Sequence, residues 1–392
     1  MVDLGGLSIR VTSPIELSEP ITVRNGSVAA DDCNVFTVTA PDVNLVDMNV
    51  SRLACTFAPT TADGSMVAVT GRSFRSTNTN YSGAGRNCIY LTHAACNETV
   101  IDGGSFATTL RFQDAAAVAS GAGPTGSSGI TVRNITVTEG VHGIALYDVS
   151  DSLVEGCDVS GCAMLPVVEL TAWSDQGGGV YRCADRSDGV TRTLFVDGVQ
   201  VSESLTPTTT PASDRWSQDS GFVYLNIGAD PSTVTVTSKI VSGYGIMVYR
   251  QGVDTSRNVI RGNTIHDVDG IGIYLQLGTE TSADNATDSN ILTNVCTEGS
   301  QTGSLPFGGI GIAGGTGTVI HGDTITSVGK AGEGVVAGVN SYIGAVPTTS
   351  DGAVSDVTID GVFGAGFRTQ STDWTFTNCS AVNTTGPEFV TP

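Results

Sequence analysis

Positive charge is scarce in this sequence. Its 392 residues carry 18 Lys and Arg against 39 Asp and Glu, a formal net charge of −21. A duplex nucleic acid is bound by neutralising its phosphates, so that class of partner is excluded, and an anionic membrane surface with it. No apolar run is long enough to span a bilayer. "MVDLGGLSIR" has neither the basic start nor the apolar core of a signal peptide. Histidine is limited to His93, His142, His266 and His321, with no H-x-x-H or H-E-x-x-H group, so no histidine metal centre is expected. The nine cysteines contain no CxxC pair, which argues against zinc. They are expected as buried free thiols, with Cys157/Cys162 and Cys88/Cys96 the pairs to check for bridges. "GAGPTGSSG" from Gly121 lacks the Lys-Ser/Thr ending of a phosphate-cradling loop.

Glycine is abundant, at 50 residues, and Thr, Ser, Val and Asp are plentiful, while Lys, Glu and Leu are thin. That is a β-rich composition with many turns. Self-similarity organises it. "IRGNTI" at Ile260 has relatives in "VRNGSV" (Val23), "LVDMNV" (Leu45), "VTGRSF" (Val69), "IDGGSF" (Ile101), "VRNITV" (Val132) and "VEGCDV" (Val154). Others are "VDGVQV" (Val196), "VTSKIV" (Val236), "LTNVCT" (Leu292), "IHGDTI" (Ile320), "IDGVFG" (Ile359) and "FTNCSA" (Phe376). Gly or Asn at the third position suits a bend at positive φ between two short strands, and stacked asparagines can hydrogen-bond as ladders.

A second strand follows, as in "GIALY" (Gly143), "VVELT" (Val167), "FVYLN" (Phe222), "GIMVY" (Gly245), "GIGIY" (Gly270) and "GIGIA" (Gly309). A period in the low twenties with short strands is one rung of a parallel β-helix. The expected fold is all-β: a single-stranded parallel β-helix solenoid of about a dozen rungs. It forms one domain over residues 1–392, with long loop insertions near 174–192, 203–220 and 276–290.

These rung motifs resemble those of the right-handed parallel β-helix superfamily, the pectate-lyase-like fold. The resemblance covers most of the chain. It implies a carbohydrate-active protein, since the superfamily holds polysaccharide lyases, glycoside hydrolases, uronan epimerases, phage tailspikes and adhesins. Fold alone does not choose among them. Both ends of the sequence enter and leave as strand without an obvious cap, which a tailspike-like homotrimer at an extracellular or virion surface would explain.

The outward positions of the second strands are expected to carry the function. One column places Tyr147, Asn226, Tyr249 and Tyr274 in succession; the neighbouring column holds Glu169 and Tyr224. Trp173 stands at the start of the first long loop. Aromatic faces beside hydrogen-bonding groups suit a polysaccharide. The same residues also suit packing beneath loops or a subunit contact.

Two chemistries fit such a strip. A hydrolase needs two carboxyl groups about 5–5.5 Å or about 6.5–9.5 Å apart. Glu169 is the leading candidate, for its apolar neighbours, with Asp148, Asp175 or Asp219 as partner. A lyase acting on uronates would use Tyr249 and Arg250. Hydrolysis ranks slightly ahead, because basic residues are few. The runner-up is a non-catalytic glycan-binding adhesin or tail-fibre segment. No cofactor is expected. "HDVDG" at His266 holds part of a calcium loop in Asp267, Asp269 and Gly270, without the remaining ligand spacing.

Overall fold

The computed structural model describes all residues except 55–63, 84, 93–96, 109–114, 122–125, 163–167, 185–191, 204–208, 220–221, 241–242, 279–280, 297–307, 330–335, 343–350 and 392. Among the described residues there is no α-helix, and only one 3-10 turn, Pro231–Thr233. The fold is a parallel β-helix. Each coil contributes one strand to each of three parallel ladders. In one coil, Val259–Arg261 belongs to ladder A, Thr264–Val268 to ladder B and Ile273–Gln276 to ladder C. The next coil opens at Ala286–Asp288, paired with Val259–Arg261. Ladder C contains 12 strands, matching the expected dozen rungs. Ladders A and B form one 22-stranded sheet, because Thr22–Ala30 and Asn44–Arg52 run through both without a break.

The bend between ladders A and B falls on the third motif position. Asn25, Asp47, Gly103, Asn134, Gly156, Gly262, Gly322 and Asn378 all have positive φ there. A single left-handed residue turns the chain without a loop, and Asn, Asp and Gly tolerate that conformation best. Other copies of the motif have a different role. "VTGRSF" straddles ladder C, with the bend of its coil at Asn78. "LTNVCT" and "IDGVFG" belong to ladder B, where Asn294 and Gly361 form a second column of positive φ with Asp267 and Ser327.

"VDGVQV" and "VTSKIV" are not rungs, and neither are "VVELT" and "FVYLN". Rung pairing passes directly from Ile144 to Ile246, from Val154 to Ile260 and from Val159 to Ile265. The intervening chain forms a separate eight-stranded, largely antiparallel sheet from Val168–Glu169 to Val236–Ile240. It has its own apolar cluster of Leu170, Cys183, Leu194, Trp216, Val223, Leu225 and Val236. Within the expected loops at 174–192 and 203–220, the described strands Ser174–Gly177, Val180–Ala184 and Arg215–Asp219 belong to this sheet, and "DG" at Asp197-Gly198 is a hairpin turn within it. The stretch 276–290 includes the ladder A strand Ala286–Asp288.

The bore is filled by aliphatic side chains and by internal polar ladders. The Asn263 side-chain amide donates to Asn290 Oδ1 at 2.9 Å, and that of Asn290 to Asp323 Oδ1 at 2.9 Å. A second stack joins Asn258 to Asn285. Asn263, Asn290 and Asp323 occupy the position after the bend, whereas Asn258 and Asn285 stand just before the ladder A strands. Asp323 ends its ladder, with Oδ2 accepting from the Thr287 hydroxyl at 2.6 Å. Cys157 and Cys162 are buried free thiols, raised by burial to about 11 and about 12. Cys88 is also a free buried thiol, while Cys96 lies outside the described residues.

Outside the bore, charges alternate along ladder A. Asp102, Arg133, Glu155, Arg261 and Asp288 follow one another by register. Arg133 pairs with Asp102 at 2.7 Å and Arg261 with Glu155 at 2.8 Å. Such exposed pairs add little to stability and serve mainly to disfavour a shifted register.

Entry into ladder C requires close approach of two strands. A Cβ on Gly272 would lie 2.6 Å from Leu292 Cδ2 and 2.8 Å from Gly309 O. Gly143, Gly245, Gly309, Gly338 and Gly366 repeat this contact in the neighbouring coils.

Two predictions follow from these columns. Gly272→Ala should lower stability by about 1–3 kcal/mol in denaturant titration, whereas Gly262→Asn, with nothing near the would-be Cβ, should change it by less than about 0.5 kcal/mol. Burial raises the Asp323 carboxyl from 3.8 to about 6, against the lowering effect of Thr287 and Asn290. A raised acid stabilises the fold fully below its unfolded value and loses that contribution as pH rises through about 6. Asp323→Asn should therefore gain stability relative to the parent between about pH 4 and 7, on the order of 2–3 kcal/mol, read from melting curves across that range.

Candidate functional site

The register of ladder C determines which expected residues meet. Ile144 aligns with Ile246, Ile273 and Ile310, so Tyr147, Tyr249, Gln276 and Ala313 form one column. Ala145, Met247, Tyr274 and Gly311 form another. Tyr274 is thus not the neighbour of Tyr249 in the column; Gln276 is. Sequence alignment on the opening glycines slips this strand by two residues. Such a slip preserves the face but changes the partner.

Tyr274 is also not exposed, at 2%. Its hydroxyl donates to Gln276 Oε1 at 2.6 Å, and its ring lies 5.2 Å from that of Tyr244. Tyr244 stacks on His142 at 5.0 Å with 6° between the planes, and its amide donates to His142 Nδ1 at 3.2 Å. An accepting Nδ1 leaves the proton of the neutral ring on Nε2. Burial pushes the hydroxyls of both Tyr244 and Tyr274 well above the ordinary tyrosine range. These groups pack the sheet and are poorly suited to proton abstraction at neutral pH.

Tyr147 and Tyr249 are different. Both are half-buried, on adjacent rungs, with ring centroids 5.4 Å apart and planes at 50°. The chain turns after Tyr147 at Asp148, which has φ 51° and is 1% exposed. Asp148 Oδ1 accepts three amide hydrogens, from Gln251 at 2.7 Å, Gly252 at 2.9 Å and Val253 at 3.0 Å. A carboxylate oxygen, being acceptor-only, suits such a nest of N–H groups. Asp148 Oδ2 has no hydrogen-bond partner. Asp148 lines a cleft of about 260 Å³ with Asn97, Ser127, Ser128, Ser150, Val253 and Asp254. Asp254 Oδ1 is paired with Arg250 Nε at 3.0 Å.

Sequence reasoning missed Asn97, Asp254 and the three serines, because the cleft joins segments from separate coils, among them the short parallel pair Ser127–Ser128/Val149–Ser150. Asn97 and Ser128, for example, are bonded across 31 residues. Tyr147, Asp148, Tyr249 and Arg250 carried a signal, through their position at the end of a strand.

The other expected residues belong to the inserted sheet. Glu169 is exposed and pairs with Thr237, not with a rung. Asp175 accepts from the Gly177 amide on the exposed strand Ser174–Gly177, which pairs with Val180–Ala184. Asp219 lies in the strand Arg215–Asp219, and its side chain is outside the described residues. Tyr224 is buried, Asn226 donates to Pro211 O at 3.0 Å, and Trp173 donates to Leu170 O while packing on the insert's own cluster. Asn226 therefore does not join the column of the rung tyrosines, nor Glu169 and Tyr224 the neighbouring one. In the calcium-like stretch, Asp267 accepts from Asn294 and meets His266 Nδ1 at 2.8 Å, contacts that hold its carboxyl below the usual range. Among the described residues no cluster of three His, Cys, Asp or Glu side chains could hold a metal.

No protein-family model matches the sequence, and no curated protein matches it. Solved structures do match in fold. The catalytic domain of a GH87 alpha-1,3-glucanase variant in complex with tetrasaccharides superposes with a TM-score of 0.55 at 13% identity, over 98% of this chain and 61% of the other. The Dettilon tailspike protein gives 0.51 at 13% identity, again over 98% and 61%. This chain therefore spans about three-fifths of the length of each of these two relatives. Both likenesses establish the shared parallel β-helix fold.

The amide nest yields a prediction. Asp148→Ala would leave three part-buried amides without their acceptor at a positive-φ position and should cost about 1–2 kcal/mol. Asp148→Asn keeps an acceptor oxygen and tolerates the turn, and should cost less than about 1 kcal/mol, both measured by denaturant unfolding.

Proposed function

We propose that this protein binds a polysaccharide along the edge of ladder C and cleaves it there. The observation that carries the reading is the half-buried Tyr147–Tyr249 pair at the end of the strands whose turns build the Asp148 cleft. Sugar C–H faces pack on tyrosine rings, and hydroxyls find partners in carboxylates, serines and an amide. The glycan-complexed glucanase and the tailspike, similar in fold, support the class of ligand by analogy.

Charge refines the reading toward a neutral glycan. Arg10, Arg24, Arg52, Arg133, Arg250, Arg257 and Arg261 are all ion-paired with acidic side chains. In particular Arg250, the cation proposed for a uronate, is held by Asp254. Hydrolysis involving Asp148 and Asp254 is accordingly preferred to β-elimination, with Glu169, Asp175 and Asp219 supplying the insert's contribution if it closes over the face. A surface location and a homotrimeric, tailspike-like assembly belong to the same proposal.

A non-catalytic adhesin is the second reading. It is favoured by the fact that Asp148 Oδ1 and Asp254 Oδ1 are both already engaged within the protein.

The decisive test is a polysaccharide panel assayed for new reducing ends and for the ultraviolet absorbance of an unsaturated uronate. Reducing ends alone support hydrolysis, and the chromophore indicates a lyase. Binding without either product indicates an adhesin, and no binding to any member removes the glycan reading. On the glycan that binds, Tyr147→Ala and Tyr249→Ala should each weaken affinity by about tenfold in calorimetry, the effect of losing about 1–1.5 kcal/mol of ring contact.

A further inference from the structure

The Asp148 cleft contains a buried carboxyl group that the protein does not fully satisfy. Asp148 is 1% exposed, and its Oδ1 is saturated by three amides, yet Oδ2 has no partner. A buried carboxylate oxygen is costly unless it is paired, hydrogen-bonded or bound to a metal. Among the described residues no arginine or lysine lines the cleft. Gly126 and Val253 form part of its wall, and the side-chain oxygens there are those of the Asp254 carboxylate, of the Ser127, Ser128 and Ser150 hydroxyls and of the Asn97 amide. Two of these are already oriented, since Asn97 Oδ1 accepts from the Ser128 amide at 2.8 Å and Ser150 Oγ donates to Asp254 O at 3.3 Å.

We propose that this cleft binds one divalent cation of the calcium class, with Asp148 Oδ2 as its anchoring ligand and Asp254 and the serine oxygens completing the shell. Calcium takes six to eight oxygen ligands at about 2.3–2.6 Å in adaptable geometry, and carboxylates, hydroxyls and carbonyls all serve. Magnesium demands a stricter octahedron and is the poorer fit to a cleft assembled from separate segments. A sugar hydroxyl is the competing occupant of the cleft, and the glycan arm of the test separates the two. Arg250 bears on the site through its pair with Asp254 at 3.0 Å, a geometry that would loosen as the ion shares that carboxylate. The inference is independent of whether the protein binds a glycan.

The test uses the full chain, stripped of metal with a chelator. Calorimetric titration with calcium chloride should show one site per chain, and the melting temperature should rise with calcium concentration as binding to the folded state requires. Magnesium chloride and sodium chloride at matched ionic strength should give a smaller rise. Asp148→Asn, which keeps the amide nest, should weaken calcium binding by about tenfold or more. Asp254→Asn gives an independent reading if the first variant folds poorly. The proposal is overturned if the parent protein shows no calcium-specific heat and no shift at millimolar calcium. It is equally overturned if sodium chloride reproduces the shift, or if both variants bind calcium as the parent does. Loss of glycan binding by Asp148→Asn in the presence of chelator would assign Oδ2 to a sugar hydroxyl instead.

Discussion

Everything in this molecule depends on coils repeating in register. Three ladders stay aligned only if each coil bends in the same place, and a single left-handed residue sets that place. Asn25, Asp47, Asn134, Gly262 and Asn378 do the same geometric work in coils far apart along the chain. Once the bend is aligned, the pleat dictates the rest, and aliphatic residues stack on aliphatic residues in the bore. The asparagine ladders then bond one coil to the next from inside, and alternating charges on ladder A match from outside. A coil displaced by one residue would turn its whole apolar set outward.

That dependence explains what could be read from the sequence. The third motif position has a strict conformational requirement, so it leaves a residue signature that survives divergence elsewhere. Fold class and rung number were legible from it. The same signature misled where a hairpin makes the same demand: Asp197-Gly198 turns an antiparallel pair, yet resembles a rung bend in sequence. The inserted sheet was therefore absorbed into the solenoid, and Glu169, Tyr224 and Asn226 were assigned to columns they do not join. A short apolar strand carries no mark of the sheet it will enter.

The site was less legible for a different reason. Asn97, Ser128, Asp148 and Asp254 come from segments between the ladder strands, whose residue types are dictated by no repeat. Their convergence follows from the stacking of coils, not from spacing along the chain. Tyr274 illustrates the limit from the other side. It is the one residue in its strand that the repeat does not require, which made it the natural candidate for an exposed ring. Packing against Tyr244 and a hydrogen bond to Gln276 account for it without any ligand. Tyr147 and Tyr249, less distinctive in sequence, are the pair left partly open.

The inserted sheet leaves the solenoid's register untouched. Neighbouring coils are ordinarily bonded across separations such as 22 or 27 residues, but Ser152 and Asn258 are bonded across 106. Loop-closure entropy grows only with the logarithm of length, so this fourfold longer connection costs the solenoid on the order of 1 kcal/mol. One bridged coil is thus an inexpensive socket. A different module could occupy it without a single rung being redesigned, and the shaft and its appendage are free to change on separate evolutionary clocks.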